Sequence, residues 1–383
     1  MSAQTRPAPR STSRRRRLVA AAAVLPIFIG ALAACGYGKD KSSSDDPTTT
    51  AAAPAASSAA AKLSADTVKI GYFPNLTHAT PLVGLKEGIF QKELNGTTIK
   101  PYTFNAGPAE IEALNAGSID IGWIGPSPAI NGYTKSNGTS LRIISGSASG
   151  GVKLVVNPKK IKTLDDVKGK KIATPQLGNT QDVALLNWIA SKGWKVDAQS
   201  GKGDVSVVRT DNKITPDAYK NGSIDGAWVP EPTASKLVAE GAKVLLDEST
   251  LWPDKKFVIT NVIVSQKFLT DHPDVVEAVL RGSVKTNAWI KANPDKAKAD
   301  ANDELKRLSG KALKPDVLDP AWASIQVLDD PLASTAKVEA QHAVSAGLLK
   351  NPKLDGIYDL TLLNKVLKEQ GLPAVDAAGL GKQ

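Results

Sequence analysis

A thirteen-residue stretch of this chain is echoed once. Gly117-Ser118-Ile119-Asp120-Ile121-Gly122-Trp123-Ile124-Gly125-Pro126-Ser127-Pro128-Ala129 returns 105 residues later as Gly222-Ser223-Ile224-Asp225-Gly226-Ala227-Trp228-Val229-Pro230-Glu231-Pro232-Thr233-Ala234. Both copies follow Asn-Ala-Gly or Lys-Asn-Gly, where the glycine suits a helix C-terminus. Both then pass through a short apolar strand into a proline-rich turn, and proline fits the first turn of a helix. A unit spelled twice at this distance predicts two similar α/β lobes. In open α/β sheets ligands sit beyond the carboxyl ends of the strands, so the turns after Trp123 and Trp228 are candidates to face each other across a cleft. The plainer reading is that Gly-Ser-Ile-Asp is a common helix-to-strand connection and carries structure only.

The pattern between and around the copies agrees with α/β. Residues 81–93, 109–116 and 180–192 read as helices. Residues 68–72, 99–104, 119–123, 141–145, 154–156, 171–173 and 205–208 read as short strands. Short strands alternating with helices predict mainly parallel sheets. Past about residue 270 strand signals nearly vanish, and His272-Pro273, Asn293-Pro294, Lys314-Pro315 and Asn351-Pro352 mark helix boundaries. The expected domains are therefore lobe 1 from 66–152 plus 262–383, lobe 2 from 153–261, and a helical C-terminal segment.

Charge first suggests nucleic acid: the 383 residues carry 48 basic against 38 acidic side chains, a net +10. The location of the charge argues otherwise. Arg6, Arg10 and Arg14 to Arg17 precede an apolar run over 18–34, and no acid occurs before Asp40. A basic start, an apolar stretch and small residues form the pattern of a secretory signal. Without residues 1–34 six arginines are gone and no acids, and no basic stripe remains to track a phosphate backbone. The expectation is no nucleic-acid partner. Leu32-Ala33-Ala34-Cys35-Gly36 contains the only cysteine and resembles a bacterial lipobox, which implies lipidation of Cys35 and a cell-membrane anchor on the extracytoplasmic face. An ordinary signal peptide is the alternative, and the arginine run leaves Sec and twin-arginine export both open. Residues 35–65 are Ser, Thr, Ala, Pro and Asp with little to bury, a disordered tether.

Several turns offer anion capture on the chemistry of their residues alone. Gly178-Asn179-Thr180-Gln181 caps an apolar helical run, and Gly125-Pro126-Ser127-Pro128 opens another. Helix N-termini present unpaired N–H groups and positive partial charge to oxyanions, each worth roughly 0.3–1 kcal/mol exposed and up to ~2 when partly buried. Asn75, Thr77 and His78 lie in a polar turn after the first strand and supply donors. Ser147, within Gly146-Ser147-Ala148-Ser149-Gly150-Gly151, either lets backbone approach the ligand or belongs to padding before a crossover. Glu231 would repel an anion, so it either faces away or meets the amine of a zwitterion. Asn179 and Thr180 are equally what any helix wants as caps. His272 and His342 read as surface residues.

Four motifs in order resemble a known family. They are Ile70-Gly71-Tyr72-Phe73-Pro74-Asn75-Leu76-Thr77-His78-Ala79, the first echo copy from Gly117 to Pro128, Ala173-Thr174-Pro175-Gln176-Leu177-Gly178-Asn179-Thr180-Gln181-Asp182-Val183-Ala184-Leu185, and Asp225-Gly226-Ala227-Trp228-Val229-Pro230-Glu231-Pro232. Together they resemble substrate-binding proteins of ABC importers in the nitrate/sulfonate/taurine branch, the aliphatic-sulfonate-binding family above all, over about 66–350. The resemblance implies a bilobal type II periplasmic-binding fold with crossovers near 151–156 and 258–264. It also implies a monomer that closes on a small sulfonate-like anion and delivers it to a permease with its ATPase, without cofactor or metal. Nitrate, bicarbonate, a thiamin-type pyrimidine or an aromatic acid are the alternative ligands, the last two with Trp123 or Trp228 as a stacking wall. A surface adhesion or sensor module is the rival outside transport.

No enzyme signature competes. Ser334-Thr335-Ala336-Lys337 and Thr210-Asp211-Asn212 superficially resemble penicillin-recognising enzymes, but their order is reversed and no Lys-Thr-Gly follows. Gly-x-Ser-x-Gly, a Walker loop and a His/Cys cluster are all missing from the sequence. Pyrimidine synthases of thiamin biosynthesis share the resembled fold but rely on cysteine-rich segments this chain lacks.

Overall fold

The computed structural model describes residues 62–382. The signal segment, Cys35 and all but the end of the expected tether lie outside the described residues. The fold claims that end: Ala65 O accepts from Thr97 Oγ1 at 2.7 Å, and Ser64 N donates to Asp274 at 2.7 Å.

Eleven strands are described: β1 Thr67–Tyr72, β2 Thr98–Thr103, β3 Ile121–Ile124, β4 Leu141–Gly150, β5 Val152–Val156, β6 Lys171–Thr174, β7 Ser206–Arg209, β8 Gly226–Pro230, β9 Lys243–Asp247, β10 Val258–Ser265 and β11 Ile325–Val327. They form two sheets, one in the order β11-β4-β10-β3-β1-β2 and the other β7-β6-β8-β5-β9. Each sheet keeps a parallel trio, β2-β1-β3 in one and β7-β6-β8 in the other. An antiparallel neighbour flanks each trio, β10 beside β3 and β5 beside β8. The sequence echo is thus topological: β3 and β8, which carry the two copies, occupy the same place in the two trios.

Both faces of such sheets must be covered, because parallel strands are apolar on both sides. Trp123, Tyr72, Leu82 and Ile263 are buried in the first lobe. Trp188, Trp228, Leu154 and Phe257 fill one face of the second sheet, and Val155, Ala227, Val229 and Leu237 the other. The two tryptophans of the echo are core residues, each 0% exposed. Burying a large apolar side chain stabilises by roughly 1.5–3 kcal/mol.

The chain crosses between sheets at Gly150-Gly151 and again over 248–257. The first crossing needs its glycines. Gly151 has φ +72°, and a Cβ there would lie 2.6 Å from Ile325 Cγ2. The second differs from expectation. Residues 258–261 do not cross but pair in β10 with β4 and β3 of the first sheet. A β-rich stretch of this kind, Val258-Ile259-Thr260-Asn261, reads equally well as hinge or central strand, and only the pairing partner decides. Residues 146–150 are likewise not padding: β4 continues through them, and Gly146 lies against the Asp330 backbone. The predicted helix over 81–93 is two, Ala79–Lys86 and Ile89–Glu93, divided at Gly88 with φ +67°.

The C-terminal segment is helical apart from β11. Pro273–Ala292 and Pro294–Ser309 pack on the first lobe's helices. Helix Pro315–Ala323 packs against Thr233–Ala239, and helix Ala336–Ser345 against Thr180–Ser191, both of the second lobe. The segment therefore touches both lobes and frames the cleft from behind.

Candidate anion-binding cleft

Between the lobes lies a chamber of about 20 Å³, the room of roughly one ordered water. Its wall is assembled from the carboxyl ends of strands in both sheets. Phe73, Asn75, Thr77 and His78 follow β1, Asn105 follows β2, and Gly125 follows β3. From the other lobe come Asn179, Thr180 and Gln181 after β6, Asn212 after β7 and Pro230 ending β8, with Ile259 of β10 closing the wall. The turn-after-strand rule thus places the cleft where the echo predicts it.

Larger hollows exist, such as an open groove of about 380 Å³ beside Trp194 and Ala346. It lacks converging neutral donors, so chemistry rather than size locates the site.

Asn179 is the N-cap of helix Thr180–Ser191, its side chain accepting from Gln181 N at 3.2 Å. Gly125 caps helix Pro126–Lys135. Pro126 and Pro128 have no N–H to offer, so this terminus brings fewer donors than the one at Thr180. Leu76–His78 is a short 3-10 turn leading into Ala79–Lys86. Three helix starts therefore meet at the chamber.

Two side-chain atoms here lack any partner: Thr180 Oγ1 and Asn212 Oδ1 are buried without a hydrogen bond. An unmade hydrogen bond on a buried group costs about 1–3 kcal/mol, so both atoms are available to a ligand that enters the chamber. His78 is fully determined. The Phe73 N–H donates to its Nδ1 at 3.3 Å, which leaves the proton of the neutral ring on Nε2 as a donor. Burial pushes its pKa down to about 3, so the ring is uncharged at neutral pH. The chamber wall contains no Asp, Glu, Lys or Arg. An anion would be held there by neutral donors and helix termini alone.

The remaining expected contacts are engaged elsewhere. Trp228 is no stacking wall: its indole N–H donates to Glu248 at 2.6 Å and its ring packs near Trp188. Burial raises the Glu248 carboxyl to about 7, opposed by that indole donor. Trp123 packs edge-on against Phe90 in the first core. Ser127 turns its hydroxyl toward Glu339, at 3.4 Å. Ser147 donates to Thr80 Oγ1 at 3.0 Å inside lobe 1. Gly178 does not line the chamber; its N–H donates to Asp182 Oδ2 at 3.0 Å. Glu231 faces away from the chamber. Its side chain is fully buried, pairs with Lys153 at 2.7 Å and accepts from Ser235 N and Oγ at 3.0 Å. All six are turned to their own lobe's interior or the hinge, because strand alternation and helix phase decide direction, and proximity along the chain does not.

The structure adds contributors the sequence reading passed over. Asn105 and Asn212 line the chamber, the latter inside the Thr210-Asp211-Asn212 triplet that looked accidental. Their signal was the same as for Asn179, a polar residue directly after a strand and before a helix. Asp182 works from behind. Buried, it accepts from Thr174 Oγ1 at 2.7 Å, from Arg209 Nε at 2.9 Å and from Gly178 N, and so fixes the loop that carries Asn179 and Thr180.

Among the described residues no cluster of His, Cys, Asp or Glu could hold a metal ion, and no helix is long and apolar enough to cross a membrane.

Comparison with known proteins agrees with this architecture. Residues 61–303 match the NMT1-like family. The chain is 30% identical over 237 residues to the taurine-binding periplasmic protein of Escherichia coli, covering 61% of this chain and 71% of that protein. The fold is similar to that of the alkanesulfonate-binding protein SsuA from Xanthomonas axonopodis pv. citri bound to MOPS, with a TM-score of 0.62 and 22% identity over 75% of this chain and 95% of that one. It is also similar to the periplasmic nitrate-binding protein NrtA from Synechocystis, with a TM-score of 0.68 and 17% identity over 81% and 90% of the two chains. Such relatives are binding proteins and not enzymes. The chain belongs to the NMT1-like family, as a substrate-binding protein of ABC import type with the bilobal type II fold.

Proposed function

We propose that this protein captures a small oxyanion, a sulfonate in the first instance, between its two lobes and hands it to an ABC permease. The observation that carries this reading is the chamber itself. It is built from both lobes, lined by neutral donors and helix starts, free of carboxylates, and contains the unpartnered Thr180 hydroxyl. A uniform set of neutral donors suits a monoanion, since none must be deprotonated or neutralised first. The similar proteins named above support the same class, being taurine-, alkanesulfonate- and nitrate-binding proteins.

Calorimetric titration with ethanesulfonate, taurine, nitrate and bicarbonate tests it. At least one should bind with a micromolar or tighter Kd, and the Asn179→Ala/Thr180→Ala double variant should weaken that binding at least tenfold, about 1.4 kcal/mol. Silence toward all four anions would sink the anion reading.

Lipidation of Cys35 would keep the receptor beside its permease, the described body following on a polar tether. In a bacterial host the full chain should fractionate with membranes and Cys35→Ser should not. Equal membrane association of the two would remove the anchor. The body is proposed to act as a monomer, with neither cofactor nor nucleic acid.

A further inference from the structure

The chamber opens into a second cavity of about 160 Å³, and the two share Asn75, Asn105 and Asn212. At about 20 Å³ the inner chamber has no room for an organic tail. A tail attached to a head held there must lie in the outer cavity, whose wall differs in kind. Leu305, Leu308 and Leu313 form an apolar side from lobe 1, and Lys213 and Lys236 stand opposite on lobe 2.

These lysines are not claimed by a carboxylate of the cavity wall. Among the described residues Lys213, Lys236 and Lys311 make no ion pair, whereas Lys153 nearby is bound to Glu231. Lys236 is partly buried on helix Thr233–Ala239. Burial and the charge of Lys311 both push its ammonium below the usual lysine range. Lys213 and Lys236 line the same cavity, so like charges gather on its lobe 2 side. The only carboxylate in the wall is Asp211, and its Oδ1 already accepts from Lys213 N at 2.8 Å.

We propose, resting on the anion reading above, that the preferred ligand is a short dianion: an alkanesulfonate whose other end bears a second anionic group, held in the outer cavity by Lys236 and Lys213. The second group neutralises the seam of like charge and so favours the closed state. A zwitterion of the taurine kind places an ammonium against the same lysines and is disfavoured. An uncharged tail gains only the leucine side.

Calorimetry with three ligands of one head group decides it: propanesulfonate, taurine and 3-sulfopropanoate. The expected order is the sulfopropanoate at least tenfold tighter than propanesulfonate, with taurine weakest. In Lys236→Met the ratio of sulfopropanoate to propanesulfonate affinity should fall to within about twofold of one, and Lys213→Gln should lower it in the same direction. A ratio near one in the unaltered protein, taurine as the tightest ligand, or a preference untouched by Lys236→Met overturns the dianion assignment while sulfonate binding stands. Silence toward all three overturns the dianion assignment together with the sulfonate form of the anion reading, whereas nitrate or bicarbonate binding would still keep the anion reading itself. The melting temperatures of the variants show whether each is folded.

Discussion

Gly125→Ala is expected to lower ligand affinity at least 100-fold, about 2.7 kcal/mol, while the unliganded protein melts within a few degrees of the unaltered chain. Gly125 has φ −68° and ψ 156°, a conformation that alanine adopts freely. The local backbone therefore does not object; the other lobe does. A Cβ at this position would stand 2.2 Å from Thr180 Oγ1 and 3.6 Å from Ile259 O. Thr180 is β-branched and held in the first turn of its helix, so it cannot swing far. The substitution leaves the separated lobes intact and blocks their closure. The double variant Gly125→Ala/Thr180→Ala provides the check. Thr180→Ala alone loses a donor, yet in the alanine background it removes the clash, so the double variant should bind more tightly than Gly125→Ala. Ordinary binding by Gly125→Ala would show that the lobes need not approach this closely around the ligand.

Glu231→Ala should have the largest effect on stability, about 3–5 kcal/mol, the usual cost of breaking a buried pair and leaving its partner. The Glu231 carboxylate is wholly enclosed, holds Lys153 of β5 and caps the start of helix Thr233–Ala239 through Ser235. Its main chain also takes part: the N–H donates to Gly151 O at 2.8 Å, and the carbonyl accepts from Leu76 N at 3.2 Å. Lys153 in turn donates to Ser324 Oγ at 2.6 Å. Glu231 thus ties the first crossing to both lobes. Chemical denaturation of Glu231→Ala, Lys153→Met and the combination gives the coupling between them. The double loss should be well below the sum of the single losses, because each single variant strands a charge. A destabilisation under 1 kcal/mol for Glu231→Ala would make the pair incidental.

Gly125 and Glu231 hold neighbouring positions in the two copies of the echo, and their different fates show how far sequence reading reaches. The echo located β3 and β8, and the residues after the strands located the cleft. Asn75, Thr77, His78, Gly125, Asn179, Thr180 and Gln181 all come to the chamber wall. Short-range grammar was sufficient for them, since a polar residue between a strand end and a helix start has its position set by the turn. Trp123, Trp228, Ser127 and Glu231 of the same motifs, and Ser147 of β4, point elsewhere. Their directions depend on partners far along the chain, such as Glu248, Glu339, Thr80 and Lys153. No local pattern encodes those meetings.

The sequence by itself determined that this chain makes two α/β lobes and that the turns lining the chamber follow the strand ends. Periodicity, glycine caps and proline-opened helices act over a few residues, and the order of strands and helices along the chain carries the rest. Only the tertiary structure decided that the second crossing falls at 248–257, that the chamber wall bears no charge, and that lysines gather in the cavity beyond it. Those outcomes arise from contacts between segments up to two hundred residues apart. Each is settled by which group loses its water when the lobes meet, a quantity written in no short stretch of the chain.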